Sequence, residues 1–274
     1  VIDANLDGML YLLKHHGNKS ISDNWSLQAI RHVDKNIKAL KDNHTYGNPS
    51  RYSRRVLDVN RVLKVAGKPY GVDLSFVDFQ DLKHSPVKSS DLIKSAETPE
   101  NNPFYPYFNH SLQLILKENP EYIGFSLNYL SQALCTFAMI GFIKQYNPDQ
   151  KIVLGGSLVT TWCNMHAIDK LFSGLVDHII AGAGEEALLQ LLKMDDNKPS
   201  ALFNYGAFDM AKYLSPGRVF PVSASLGCYW QRCSFCPEKA EGNPFVPLPA
   251  NQVIDEIDVY NNKRSIGLIH FLDN

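Results

Sequence analysis

The sequence predicts an α/β protein, and three observations carry that prediction. From residue 122 onward, short apolar segments alternate with segments of helical period: Tyr122–Ser126, 131–146, 151–154, 160–172, 176–181 and 185–193. Short strands separated by helices of that length form β-α-β units around a parallel sheet. The strands also end in small residues, at Ser126, at Gly155-Gly156 and at Gly182-Ala-Gly184, where a strand-to-helix turn asks for backbone freedom. Finally, beyond a polar, proline-bearing linker over 195–217, the order strand, loop, helix, strand returns over 219–225, 226–248, 249–262 and 266–272.

The elements ahead of residue 122 follow from spacing and punctuation. Residues 5–67 are predicted to be helical. Leu27, Ile30, Val33, Ile37 and Leu40 recur at helical spacing, with Asp23 or Asn24 at the N-cap. A second stripe, Val56, Val59, Leu63 and Ala66, is stopped by Gly67 and Pro69, and the polar stretch 43–53 reads as the loop between the two helices. Residues 71–79 alternate and read as one strand, 80–105 as a proline-bearing loop, and 112–117 as a helix. In the helix at 131–146, Leu134, Phe137, Ala138 and Gly141 share a face.

Composition excludes several classes of function. The chain has 274 residues, 45% hydrophobic and 20% charged, with 27 Lys and Arg against 28 Asp and Glu. A formal net charge of −1 gives no global electrostatic reason to expect nucleic acid or an anionic membrane as partner. The most apolar run, 134–143, is shorter than the about 20 residues a bilayer span requires. Five cysteines in a chain of this length do not make a disulfide scaffold, which points to the cytoplasm. Cys135 and Cys163 lie alone in apolar surroundings and read as core thiols. Both ends read as cut: 1–3 resembles the tail of a strand, and the last strand stops as it reaches polar residues.

The remaining cysteines, Cys228, Cys233 and Cys236, sit together in Gly227-Cys-Tyr-Trp-Gln-Arg-Cys233-Ser-Phe-Cys236-Pro237. Thiolates at this density bind soft metals, zinc or an iron–sulfur cluster. A structural zinc site is closed by four ligands, and the nearest downstream histidine, His270, lies at the far end of a strand. Three thiolates on a four-iron cluster leave one iron open, which suggests reactivity. A zinc knuckle with a distant fourth ligand and a set of unligated thiols are the alternatives. The loop follows the carboxyl end of a strand and precedes a helix, where α/β sheets and barrels place their sites.

This stretch resembles the cluster loop of the radical S-adenosylmethionine (radical SAM) superfamily, with Ser225-Leu-Gly227 leading in, Arg232 before the second cysteine and Phe235 before the third. The spacing departs from the usual three-then-two: here it is four, then two. The resemblance implies a [4Fe–4S] cluster on Cys228, Cys233 and Cys236, with S-adenosylmethionine on the open iron. It implies reductive cleavage of that cosubstrate to a 5′-deoxyadenosyl radical. It further implies Phe235 against the adenine, Asp273 near the methionine amino group, a reductant such as flavodoxin or ferredoxin, and an unknown small-molecule or peptide substrate. For Asp273 a plain strand-end turn residue is an equal reading, and Arg232 reads as a loop charge.

The preceding region is similar to the cobalamin-binding domain that many radical SAM proteins carry, a doubly wound, Rossmann-like fold. Ser126, Gly155, Gly156, Gly182 and Gly184 stand at the strand ends that would surround the corrin. Asp3-Ala-Asn5-Leu-Asp7-Gly8 stands where that domain can carry Asp-x-His-x-x-Gly, with Asn5 in place of the cobalt-ligating histidine. The resemblance thus divides the chain into a cobalamin-binding-like domain over 1–215, with a helical insert about 14–67, and the start of a truncated radical SAM (β/α) barrel over 216–274. The function it implies is an iron–sulfur oxidoreductase-type enzyme that modifies an organic substrate by methylation or rearrangement, inactive as this fragment. The alternative is a corrinoid- or small-molecule-binding module with a metal-bound cysteine loop and no turnover. His15-His16 follows Lys14 and reads as a solvated helix end, His110, His166 and His178 are single and scattered, and Phe104, Tyr105 and Tyr107 read as packing residues.

Overall fold

The computed structural model describes residues 1–15, 23–165, 168, 170–194, 208–234, 236, 244–263 and 267–273. Its first part is helical: α1 (Ala4–Lys14), α2 (Asn24–Arg31), α3 (Val33–Leu40), α4 (Asn43–Tyr46) and α5 (Pro49–Gly67). The predicted single helix through Leu27 and Leu40 is interrupted at His32, and the stretch expected as a loop contains α4, capped by the Asp42 carboxylate accepting from Thr45 N–H. Helix α5 ends where the sequence predicts. A short 3₁₀ turn over Lys68–Tyr70 follows it, closed by Gly71 at φ 72°, a left-handed conformation suited to glycine.

The chain forms two compact units. One comprises Asp7–Arg31 and Asn60–Asn197, the other Val1–Leu6, His32–Val59 and Lys198–Asn274. In the first, β1 (Val72–Leu74) and β2 (Phe79–Asp81) form an antiparallel hairpin. The single strand expected over 71–79 is therefore two strands. Ser75 makes the turn: its N–H donates to Asp78 C=O, and its hydroxyl accepts from the N–H groups of Val77 and Asp78. The region expected as a loop over 80–105 holds α6 (Ser89–Glu97), which buries Leu92 and Ala96. Beyond it run α7 (Tyr105–Tyr107), a π-wound turn over Phe108–Leu112, and α8 (Gln113–Lys117).

The parallel sheet follows. Strands β3 (Tyr122–Ser126), β4 (Lys151–Gly155) and β5 (His178–Ile179) pair in that order, with Tyr122 opposite Lys151 and Val153 opposite His178. Helices α9 (Leu130–Tyr146), α10 (Ser157–Met165) and α11 (Glu185–Leu191) complete the alternation. The α/β reading and its parallel strands are borne out. Central β4 buries Ile152, Val153 and Leu154, whereas β3, at the edge of the sheet among the described residues, is only half-covered. Helix α9 is apolar on nearly every side, burying Phe137 through Ile143, as a helix enclosed by protein must be. Gly141 allows the closest approach: a Cβ there would lie 1.9 Å from the Ala96 carbonyl oxygen of α6.

In the second unit β6 (Val219–Val222) pairs in parallel with β9 (Leu268–Phe271), Val219 opposite Leu268 and Val222 opposite Phe271. Helix α12 (Ala250–Lys263) lies between them in sequence, so one β-α-β unit forms as predicted. The strand expected over 219–225 is divided. Its end is a separate short strand, β7 (Ser225–Leu226), paired antiparallel with β8 (Val246–Pro247). These two close the base of the cysteine loop.

Candidate metal centre

From the carboxyl end of the parallel pair β6–β9 the chain passes through β7 to the cysteine stretch, and it returns through β8 to α12. Gly227, at φ 68°, turns the chain out of β7 in a left-handed conformation that a side chain would strain. Cys228 follows directly. A second left-handed residue, Gln231 at φ 44°, lies between Cys228 and Cys233. Tyr229 and Trp230 are exposed; Tyr229 meets Phe245 edge-on at 6.0 Å, which links the outgoing and returning limbs of the loop. The Arg232 guanidinium lies 5.2 Å from the centre of the Trp230 ring, so the predicted loop charge has an aromatic partner.

Cys228, Cys233 and Cys236 are free thiols and half-buried. The last two are joined by a turn in which Cys236 N–H donates to Cys233 C=O at 3.5 Å. The donor chemistry suits a soft metal or an iron–sulfur cluster: three unpaired thiols on irregular backbone that can rearrange around a metal. Among the described residues, no three His, Cys, Asp or Glu side chains are already gathered to hold a metal ion. Phe235 and Pro237 lie outside the described residues.

Asp273 stands just past β9. Its Oδ1 accepts hydrogen bonds from Ala224 N–H at 2.8 Å, Ser225 N–H at 2.7 Å and the Ser225 hydroxyl at 3.0 Å. Desolvation pushes its carboxyl up, but these hydrogen bonds outweigh it and hold the group below the ordinary value. The sequence singles out Asp273 and has Ser225 only in the lead-in to the cysteine loop, without their pairing. The available signal was a serine at a strand end two residues before a glycine, facing a later strand that ends in aspartate.

The residues expected around a corrin lie at the carboxyl ends of the other sheet. Ser126 and Gly155 are opposite one another at the ends of β3 and β4. Gly156, at φ 107°, packs against the preceding loop: a Cβ there would lie 2.4 Å from the Leu127 carbonyl oxygen and 2.8 Å from Asn128 Oδ1. Asn128 spans the two loops, accepting from the Ser157 N–H and hydroxyl and donating to the Ser126 hydroxyl. Gly182, at φ 73°, donates its N–H to the Thr160 hydroxyl, and Gly184 precedes α11. The chain's own Leu127 and Asn128 therefore fill the room beside Gly156. Asn5 belongs to α1, whose first turn is capped by Asp3 Oδ1 accepting from Leu6 N–H; Tyr213 donates to the other oxygen of Asp3. The Asp3–Gly8 stretch is thus the start of a helix.

The remaining predicted residues have structural surroundings. His15 stacks on Tyr11 at 4.2 Å, and Phe104 and Tyr107 are buried, as expected of packing residues. His16 and His166 lie outside the described residues. No helix among the described residues is long and apolar enough to cross a membrane. Compared with known protein families, with curated proteins and with solved structures, the chain matches none.

Proposed function

We propose that the chain carries the cluster loop of a radical SAM iron–sulfur enzyme acting on a small-molecule or peptide substrate. The observation that carries the proposal is the placement of three free thiols, Cys228, Cys233 and Cys236, on one loop. That loop leaves the carboxyl end of a parallel strand and returns through a helix to the neighbouring strand. In this reading β6, α12 and β9 are the first β-α-β unit of a (β/α) barrel. The β3–β4–β5 sheet is then a Rossmann-like, cobalamin-binding-like domain.

When bound to the three thiolates, a [4Fe–4S] cluster would supply the electron that cleaves S-adenosylmethionine to a 5′-deoxyadenosyl radical. The chain's own contribution is positional. Cys228, Cys233 and Cys236 would hold the cluster as its thiolate ligands. Gly227 and Gln231 supply left-handed turns on either side of Tyr229 and Trp230 in the loop. Asp273, at the end of β9, holds the loop's origin through Ala224 and Ser225.

The test is anaerobic loading with iron and sulfide, followed by low-temperature EPR of the reduced protein with and without S-adenosylmethionine. About four irons per chain are expected for a [4Fe–4S] cluster, with a signal that changes when the cosubstrate is added. Uptake of zinc without sulfide would overturn the proposal in favour of a structural zinc loop.

One observation favours the alternative of a small-molecule-binding module without turnover. An open pocket of about 290 Å³ lies beside β5 and α11, with His178, Ile179, Ile180, Ala187 and Leu191 in its lining and none of the residues expected around a corrin. Cobalt analysis after incubation with cobalamin separates the readings. Retained cobalamin without cosubstrate cleavage supports the binding module.

A further inference from the structure

We propose that Asp273 is a positioning residue for the cysteine loop: its carboxylate ties the carboxyl ends of β6 and β9 together and fixes the direction in which the loop leaves the sheet. The functional part of this proposal rests on the reading of the loop as an iron–sulfur site. One oxygen, Oδ1, receives three donors, two of them backbone N–H groups of the consecutive residues Ala224 and Ser225. Donor and acceptor at Ser225 are 48 residues apart, so this carboxylate closes a ring containing the loop, β8 and α12. A turn residue serving only its own strand would bond its neighbours in sequence. Asp273 instead reaches the other strand, at the residue that begins β7.

The same junction is fastened from its opposite side, because Ala224 C=O accepts from Leu248 N–H at 2.9 Å where β8 returns toward α12. Ala224 thus has its donor tied to the strand end and its acceptor tied to the returning limb. The left-handed turn at Gly227 and the first thiol, Cys228, follow immediately. Charge-assisted bonds to an ionised carboxylate are about twice as strong as neutral ones. A loop whose exit is fixed loses less freedom when its thiols close on a metal.

The experiment uses the full chain as wild type, Asp273→Ala, Asp273→Asn and Ser225→Ala. The metal-free measurements are hydrogen exchange at the Ala224 and Ser225 amides and the rate of iodoacetamide labelling of Cys228. The loaded measurement is iron loss to a chelator after anaerobic incubation with ferrous iron and sulfide. Asp273→Ala is expected to speed amide exchange and iron loss by about tenfold, the scale of losing hydrogen bonds to a charged group. Asp273→Asn keeps an acceptor oxygen and should fall between Asp273→Ala and wild type. Ser225→Ala removes only the hydroxyl bond and should have a smaller effect. A residue serving stability alone would lower the melting midpoint while leaving labelling and iron loss, measured well below that midpoint, unchanged. If Asp273→Ala does not fold, Asp273→Asn and Ser225→Ala carry the test. Exchange and labelling rates equal to wild type in the variants overturn the proposal. A wild-type chain that takes up no iron overturns the iron–sulfur reading alone, and the exchange measurement still decides the clamp.

Discussion

Asp177 shows how much a single side chain can settle in this sheet. It lies just ahead of β5, accepts from the Ile152 N–H at 2.9 Å and pairs with Lys144 at 2.9 Å and Lys151 at 3.1 Å. Burial pushes its carboxyl up; the Ile152 hydrogen bond and the two ammonium groups outweigh that and hold it at about 2, below the ordinary 3.8. The folded state therefore binds this proton less tightly than the unfolded chain. The resulting stability is present in full above pH 3.8 and is lost as the pH falls through about 2. Because Lys151 is exposed and screened, Asp177→Asn should cost only about 1–2 kcal/mol at pH 7. Urea unfolding across the pH range checks this: the difference between variant and wild type should shrink as the pH approaches 2, and a constant difference would show that the ion pairs are not its source. Gly156 is constrained by shape instead of charge. Gly156→Ala combines a positive φ with a clash against the Leu127 backbone, and should cost about 2 kcal/mol or more in the same assay.

Among the elements, the contact of α6 with α9 gives the sharpest expectation. Gly141 was legible as part of the apolar face of α9, but its closeness to Ala96 was not, because the region holding Ala96 read as a loop. Alanine is the better helix former by about 1 kcal/mol. Packing should nevertheless dominate, since a Cβ at Gly141 would sit 1.9 Å from a backbone oxygen that cannot rotate away. Gly141→Ala is expected to destabilise by about 2–3 kcal/mol net, read as a lowered thermal midpoint; a raised midpoint would mean that the two helices separate without cost. Helix α6 was hidden because its nine residues bury only Leu92 and Ala96, too few for a period to emerge among polar neighbours. The β1–β2 hairpin was hidden because alternation continues through its turn, which is built from the side chain of Ser75. The β-α-β order was legible because Tyr122–Ser126 and Lys151–Gly155 are short, mostly apolar runs ended by small residues and separated by a helix-length segment, and that signal does not depend on distant contacts.

Across the whole molecule all five cysteines are half-buried, so Cys135 and Cys163, expected as core thiols, are no more covered by area than the three of the loop, and what sets Cys135 apart is the desolvation of its thiol. Cys135, on α9, is half-buried by exposed area like the others, but its surroundings desolvate it and push its thiol up to about 12, against the weaker opposing effect of the Asn102 amide, which donates to Sγ at 3.6 Å. A thiol with that value is almost entirely protonated at neutral pH and unreactive. Cys228, Cys233 and Cys236 stand on irregular backbone, with exposed Tyr229 and Trp230 beside Cys228. The clustering was readable from spacing alone; the clamp beneath it was not, because Asp273 and Ser225 meet only once two strands 48 residues apart have paired. The division predicts the order of chemical modification. In the native, metal-free chain, iodoacetamide should label the three loop cysteines while Cys135 stays unmodified until denaturant is added, with peptide mass spectrometry assigning each site. Loading with iron and sulfide should then protect the three loop thiols together, because a shared metal removes all three nucleophiles at once. Protection of only two, with the third labelled at its metal-free rate, would mean that the loop does not supply three ligands, and the radical SAM reading would fall with it.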